Sequence, residues 1–123
     1  MVLRNNLYEI VSADSSRRLY TIGLRAGHEI YAAHFPGRPV TPGVCVIQTA
    51  VELAGEAIGR TLRLAAAKNI KFLAVLSPVE TPRVTFAFDR LEEQADGDYK
   101  VQVTVADTAR TYATLSMLLS ADR

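Results

Sequence analysis

The sequence predicts an α+β domain in which one long helix lies across an antiparallel sheet. Three observations carry that expectation. Residues 43 to about 60 contain no proline, and Val44, Ile47, Val51, Ala54 and Ile58 recur at the three-or-four spacing of a helix. In "YKVQVTVAD", Val101, Val103 and Val105 alternate with Lys100, Gln102 and Thr104, which describes a sheet covered on one face and wet on the other. "EQADGD", with Asp96, Gly97 and Asp98, is a strong hairpin turn between two such runs.

The elements follow in order. Residues 7–11 and 18–24 are rich in β-branched and aromatic side chains, and "SADSS" between them has turn composition, so a first hairpin is expected. Residues 27–33 read equally as a short helical turn or a loop. A proline-punctuated loop, residues 34–42, leads into the long helix, with Pro42 and Gly43 at its start and Thr41 a candidate cap. Strands are expected at residues 67–73, 83–91, 99–107 and 111–120, giving the order β-β-α-β-β-β-β. With no internal repeat or linker, residues 1–123 form one domain.

Composition narrows the function classes. A chain of 123 residues, 49% hydrophobic and 22% charged, has room for one core. A formal net charge of +1 supplies no general field for nucleic acid or an anionic membrane. The one cysteine, Cys45, sits in the apolar helical run, where a packed thiol is expected. No apolar run approaches a membrane span, and a cytoplasmic location is expected. His28 and His34 have no metal-ligand spacing with the carboxylates, and "PGRPVTPG" lacks the Lys-Ser/Thr pair of a phosphate loop. Neither a metal nor a cofactor is expected.

Chemistry concentrates in "HFPGRPVTPGV". Pro36, Pro39 and Pro42 fix φ, while Gly37 and Gly43 permit turns or close backbone approach. A histidine at the head of so rigid a segment can serve as a base near neutral pH. The Gly43 N–H, at a helix N-terminus, is suited to a thioester or carboxylate oxygen. The residues alone leave two readings open: a rigid connector with a structural histidine, or base and oxyanion donor delivered together.

This stretch resembles the signature of the bacterial β-hydroxyacyl-acyl carrier protein dehydratases, members of the hot-dog fold. The resemblance extends more weakly over the whole chain, including "NIKFLAVLSPVETPRVTFAF". It implies dehydration of 3-hydroxyacyl thioesters to trans-2-enoyl thioesters. His34 falls on the position of the catalytic base, Val40 where a backbone carbonyl orients the imidazole, and Gly43 where an N–H binds the thioester oxygen. Phe35 and Pro42 fall beside them in the substrate site. The resemblance further implies a homodimer with an apolar tunnel at each interface, and an acyl chain carried on acyl carrier protein or coenzyme A.

The match breaks at Gln48, fourteen positions after His34, where the family carries a glutamate or aspartate. An amide donates a hydrogen bond but has no transferable proton at a useful pKa. Glu52, one turn on, stands where the family commonly has glutamine, so acid and amide look exchanged along one helix face. Gln48, Glu52 and Glu56 read equally as a polar stripe facing solvent. If Glu52 is the acid, Glu52→Gln should abolish turnover while Glu56→Gln does little. The alternatives to a dehydratase are a hot-dog acyl thioesterase and an impaired acyl-binding or carrier-binding subunit. Arg60, Arg63, Lys68 and Lys71 read either as a dock for an acidic carrier or as scattered charge.

Overall fold

The computed structural model describes residues 2–33 and 37–121. Strands β1 (Tyr8–Asp14) and β2 (Leu19–Leu24) precede a short helix α1 (Glu29–Ala33) and the long helix α2 (Gly43–Ile58). Strands β3 (Leu62–Phe72), β4 (Arg83–Glu93), β5 (Tyr99–Ala106) and β6 (Thr111–Ala121) follow. The strands form one sheet in the order β1-β2-β4-β5-β6-β3, and each neighbouring pair is antiparallel. The element order is the expected one, with α1 occupying the ambiguous segment.

Several details depart from the sequence reading. β1 runs on through Ser12–Asp14, because a bulge between Ile10 and Ser12 resets its register with β2 and moves the turn to residues 15–18. β3 starts at Leu62 rather than Ala67. Its first half, "LRLAA", has helix-favouring composition, and pairing with β6 overrides that preference, with irregularities at Leu64/Ala66 and Ala67/Asn69. The first turn of α2 is capped by Pro42 without a side-chain bond, and the Thr41 hydroxyl is engaged elsewhere.

The inward residues of β4, β5 and β6 alternate as the sequence pattern requires: Val101, Val103 and Val105 are buried beside Phe86, Leu115 and Met117. α2 lies on this face. Its deepest positions are Ala50, Leu53 and Ala54, with Cys45, Val46, Thr49 and Val51 also buried. The stripe chosen from sequence therefore marks one flank of the helix, and Val44 is 63% exposed. α2 is apolar around most of its circumference, so spacing alone does not select the face that meets the sheet.

Helix α2 ends at Gly59, which adopts φ 72° and donates its N–H to Gly55 O at 2.8 Å. Gly55 is needed here, because a Cβ would lie 2.6 Å from the Arg60 carbonyl oxygen. The reversal sends the chain into β3, whose outer side has no strand partner among the described residues. Leu53 is fully buried between helix and sheet. Leu53→Ala is expected to cost about 2–5 kcal/mol, read as a lower urea midpoint with an unchanged m-value.

Candidate functional site

The loop before α2 is held from two sides. Thr41 donates its N–H to Leu76 O at 2.8 Å, and its buried hydroxyl bonds the Tyr31 hydroxyl at 2.9 Å. Burial pushes the Tyr31 phenol above its ordinary value, so it stays a neutral partner. Gly37, at φ 84°, makes the turn that only glycine adopts easily. His34 and Phe35, expected as base and substrate contact, lie outside the described residues.

At the start of α2 the Pro42 carbonyl accepts from Cys45 N–H at 2.9 Å and Val46 N–H at 3.2 Å. The preceding N–H groups, Gly43 first, have no intrahelical acceptor and carry the positive end of the helix dipole. Phe72, 51% exposed, lays its ring over Gly43: a Cβ there would sit 2.7 Å from Phe72 Cζ. Gly43 opens on a cleft of about 470 Å³ lined by Val40, Thr41, Phe72, Leu73 and Tyr112 among others. The far wall is stiffened by a chain of hydroxyls. Tyr112 donates to Asp107 Oδ2 at 2.6 Å and shares a hydrogen bond of 2.8 Å with Thr81. The bond from Tyr112 holds the Asp107 carboxyl below its usual range.

Gln48 and Glu52 lie in a different depression, a groove of about 600 Å³ running past Val51, Gly59 and Arg60. The structure therefore brings Val40 and Gly43 together and sets Gln48 apart from them. Both polar residues of the stripe are half-buried. Glu52 is engaged from four directions: Oε2 accepts from Leu3 N–H at 2.8 Å and from Gln48 Nε2 at 2.9 Å, and Oε1 from Arg4 N–H at 2.8 Å and the Tyr8 hydroxyl at 3.0 Å. To act as an acid it would have to give up one of these bonds. Burial, and then the negative charge of Glu52, push the Tyr8 phenol well up. Glu56, the third member of the stripe, is exposed and pairs with Arg4 at 2.6 Å.

The remaining candidates have structural settings. His28 Nδ1 accepts from Ile30 N–H at 3.1 Å at the start of α1. Cys45 is buried, and burial raises its thiol, as fits a packed side chain. Arg60 donates to the Tyr99 hydroxyl at 3.3 Å, while Lys68 and Lys71 are exposed on β3. Among the described residues no helix is long and apolar enough to cross a membrane. The partnership of Glu52 with residues 3–8 escaped the sequence reading, because nothing local marks a contact spanning 44 to 49 positions.

The pattern of the ApeI-like family, described as ApeI dehydratase, matches residues 11–114. A 3-hydroxyacyl-[acyl-carrier-protein] dehydratase FabZ of Levilactobacillus brevis is 26% identical, with 98% of this chain and 90% of that protein covered. The corresponding protein of Oenococcus oeni is 25% identical, over 76% of this chain and 70% of the relative. Among solved structures, the dehydratase heterocomplex ApeI:P from Xenorhabdus doucetiae is similar at a TM-score of 0.59 and 18% identity, covering 85% of this chain and 88% of that one. The E. coli PaaI protein from the phenylacetic acid degradation operon gives 0.61 at 12% identity, covering 98% and 83%. At such identities the solved structures bear on the fold, which is the hot-dog arrangement of a helix against an antiparallel sheet.

Proposed function

The chain belongs to the ApeI-like dehydratase family, and on that premise we propose that it removes water from a 3-hydroxyacyl thioester to give the trans-2-enoyl thioester. The observation that carries the reading is the Gly43 N–H, which heads α2 at the end of "HFPGRPVTPGV" and opens on an apolar cleft. In the proposed reaction the thioester oxygen accepts from Gly43 N–H while His34 takes the proton from C2. Electrons of that C–H bond delocalise onto the thioester oxygen and then form the C2–C3 double bond as the C3–O bond breaks. The imidazolium returns its proton to the departing hydroxyl, which leaves as water. Gln48 holds that hydroxyl by hydrogen bonding, so the cycle balances without a carboxylic acid at position 48.

Two features support a two-chain site. Gly43 and Gln48 line separate depressions, and β3 leaves a long edge that a second strand can extend. A homodimer that joins the Gly43 cleft of one copy to the Gln48 groove of the other is therefore part of the proposal. A carrier-linked acyl chain and a cytoplasmic setting belong to it as well. The amide at position 48 favours one further arrangement, in which a related chain supplies the acid, as in a heterocomplex.

The test is to give the purified chain a 3-hydroxyacyl-carrier and a saturated acyl-carrier separately. Enoyl product from the first is expected. Free acid from the second would replace the reading with a thioesterase, and binding without turnover would replace it with a carrier-binding subunit.

A further inference from the structure

We infer that Glu52 is a positioning residue: its carboxylate, clasped by the N-terminal segment, fixes the Gln48 amide with Nε2 toward the carboxylate and Oε1 turned away from it. The inference rests on the proposed function only for its catalytic consequence; the geometry stands alone. An ionised carboxylate only accepts, so the Gln48 group 2.9 Å from Oε2 must be the NH₂ donor. The two ends of an amide then face opposite ways, and the carboxylate polarises the amide so that its oxygen accepts more strongly.

The carboxylate is itself immobilised. Two backbone N–H groups hold it, Leu3 on the oxygen that also accepts from Gln48 and Arg4 on the other, where the Tyr8 hydroxyl joins it. Leu3 and Tyr8, which supply two of those donors, are buried in the core together with Leu7. Arg4 adds a salt bridge to Glu56 one turn further along α2. Residues 3–8 thereby become part of the site although they contribute no side chain to the cleft at Gly43. For the proposed dehydration, the bond to Glu52 fixes the plane of the Gln48 amide in its groove. Departure of the 3-hydroxyl then depends on the returning proton of His34.

The test uses the full chain labelled with ¹⁵N. Gln48 is one of three glutamines, with Gln94 and Gln102, and its side-chain NH₂ signals are assigned by their loss in Gln48→Glu. In the wild-type protein these protons are expected to be protected from exchange at least tenfold relative to a free glutamine side chain. In Glu52→Gln the protection is lost and kcat falls about tenfold, with KM within twofold. Glu56→Gln, which removes only the pairing with the Arg4 side chain and none of the four bonds to Glu52, leaves both unchanged. Unprotected Gln48 NH₂ protons in the wild-type protein would overturn the inference, and that measurement needs no variant to fold. Equal losses of kcat in Glu52→Gln and Glu56→Gln would also overturn it, since the bond to Gln48 would then not distinguish Glu52 from Glu56. If the wild-type chain does not dehydrate at all, the proposed function falls while the exchange data still decide the positioning.

Discussion

Gln48→Glu is expected to raise kcat for dehydration by about tenfold to a hundredfold, the lower part of the range that positioned acids supply. The expectation follows from one distance. The new carboxyl would stand where the amide now stands, 2.9 Å from Glu52 Oε2. Two carboxylates so close cannot both ionise, so they share a proton, and the pair titrates with one value raised and one lowered. A carboxylic acid is thus kept protonated toward neutral pH beside the departing hydroxyl.

The sign of the pH dependence can be worked out. The acid is competent below the raised value of the pair, so the gain over wild type is present at lower pH and disappears as pH rises through that value. Stability moves in the same direction. A group whose folded pKa lies above its unfolded one destabilises the fold as pH rises past the unfolded value, so the variant should melt earlier in alkali than the wild type. Adding Glu52→Gln to Gln48→Glu removes the coupling, which should shift the alkaline limit of the activity downward. Rates per folded molecule, measured across pH for the three proteins, check this. An unchanged or lower rate in Gln48→Glu at every pH would show that position 48 does not meet the leaving group.

The second large effect is at His34. His34→Asn removes both the proton acceptor at C2 and, in the proposed cycle, the proton that leaves with the hydroxyl. A loss of kcat of about 10³ or more is expected, because general acid–base groups contribute about 10²–10⁴ each and here one group serves twice. The asparagine can still donate a hydrogen bond, so binding of the thioester should change little. Exchange of the C2 proton with solvent deuterium, followed by mass spectrometry, separates the roles. It should stop in His34→Asn and continue in Glu56→Gln.

Much of this fold was legible because its signals are local. The alternation through Val101, Val103 and Val105, the Asp96-Gly97-Asp98 turn and the uninterrupted helix after Pro42 each report a conformation decided within a few residues. What could not be read depends on partners distant in the chain. The first half of β3 is a strand because β6 lies beside it, against the preference of Leu62, Arg63, Leu64 and Ala65. The inward face of α2 could not be chosen when nearly every face was apolar.

The candidate site divides along the same line. Gly43 was readable because proline and glycine mark the helix start, and the structure gives it an apolar cleft and a Phe72 ring packed where a Cβ would stand. Glu52 was not readable. A glutamate four residues from a glutamine can be an acid, a solvated charge or an anchor, and its contacts with Leu3, Arg4 and Tyr8 leave no local signal in the sequence.

The central claim, a dehydration that runs on His34 and the Gly43 N–H without a carboxylic acid at position 48, is tested most directly by one measurement. Purified wild-type chain, with no other protein added, is incubated with a 3-hydroxyacyl-carrier, and enoyl thioester is followed by its absorbance beside the His34→Asn variant. The account predicts enoyl product from the wild type and none above background from the variant. No enoyl product from the wild type, or the same rate from both proteins, would contradict it.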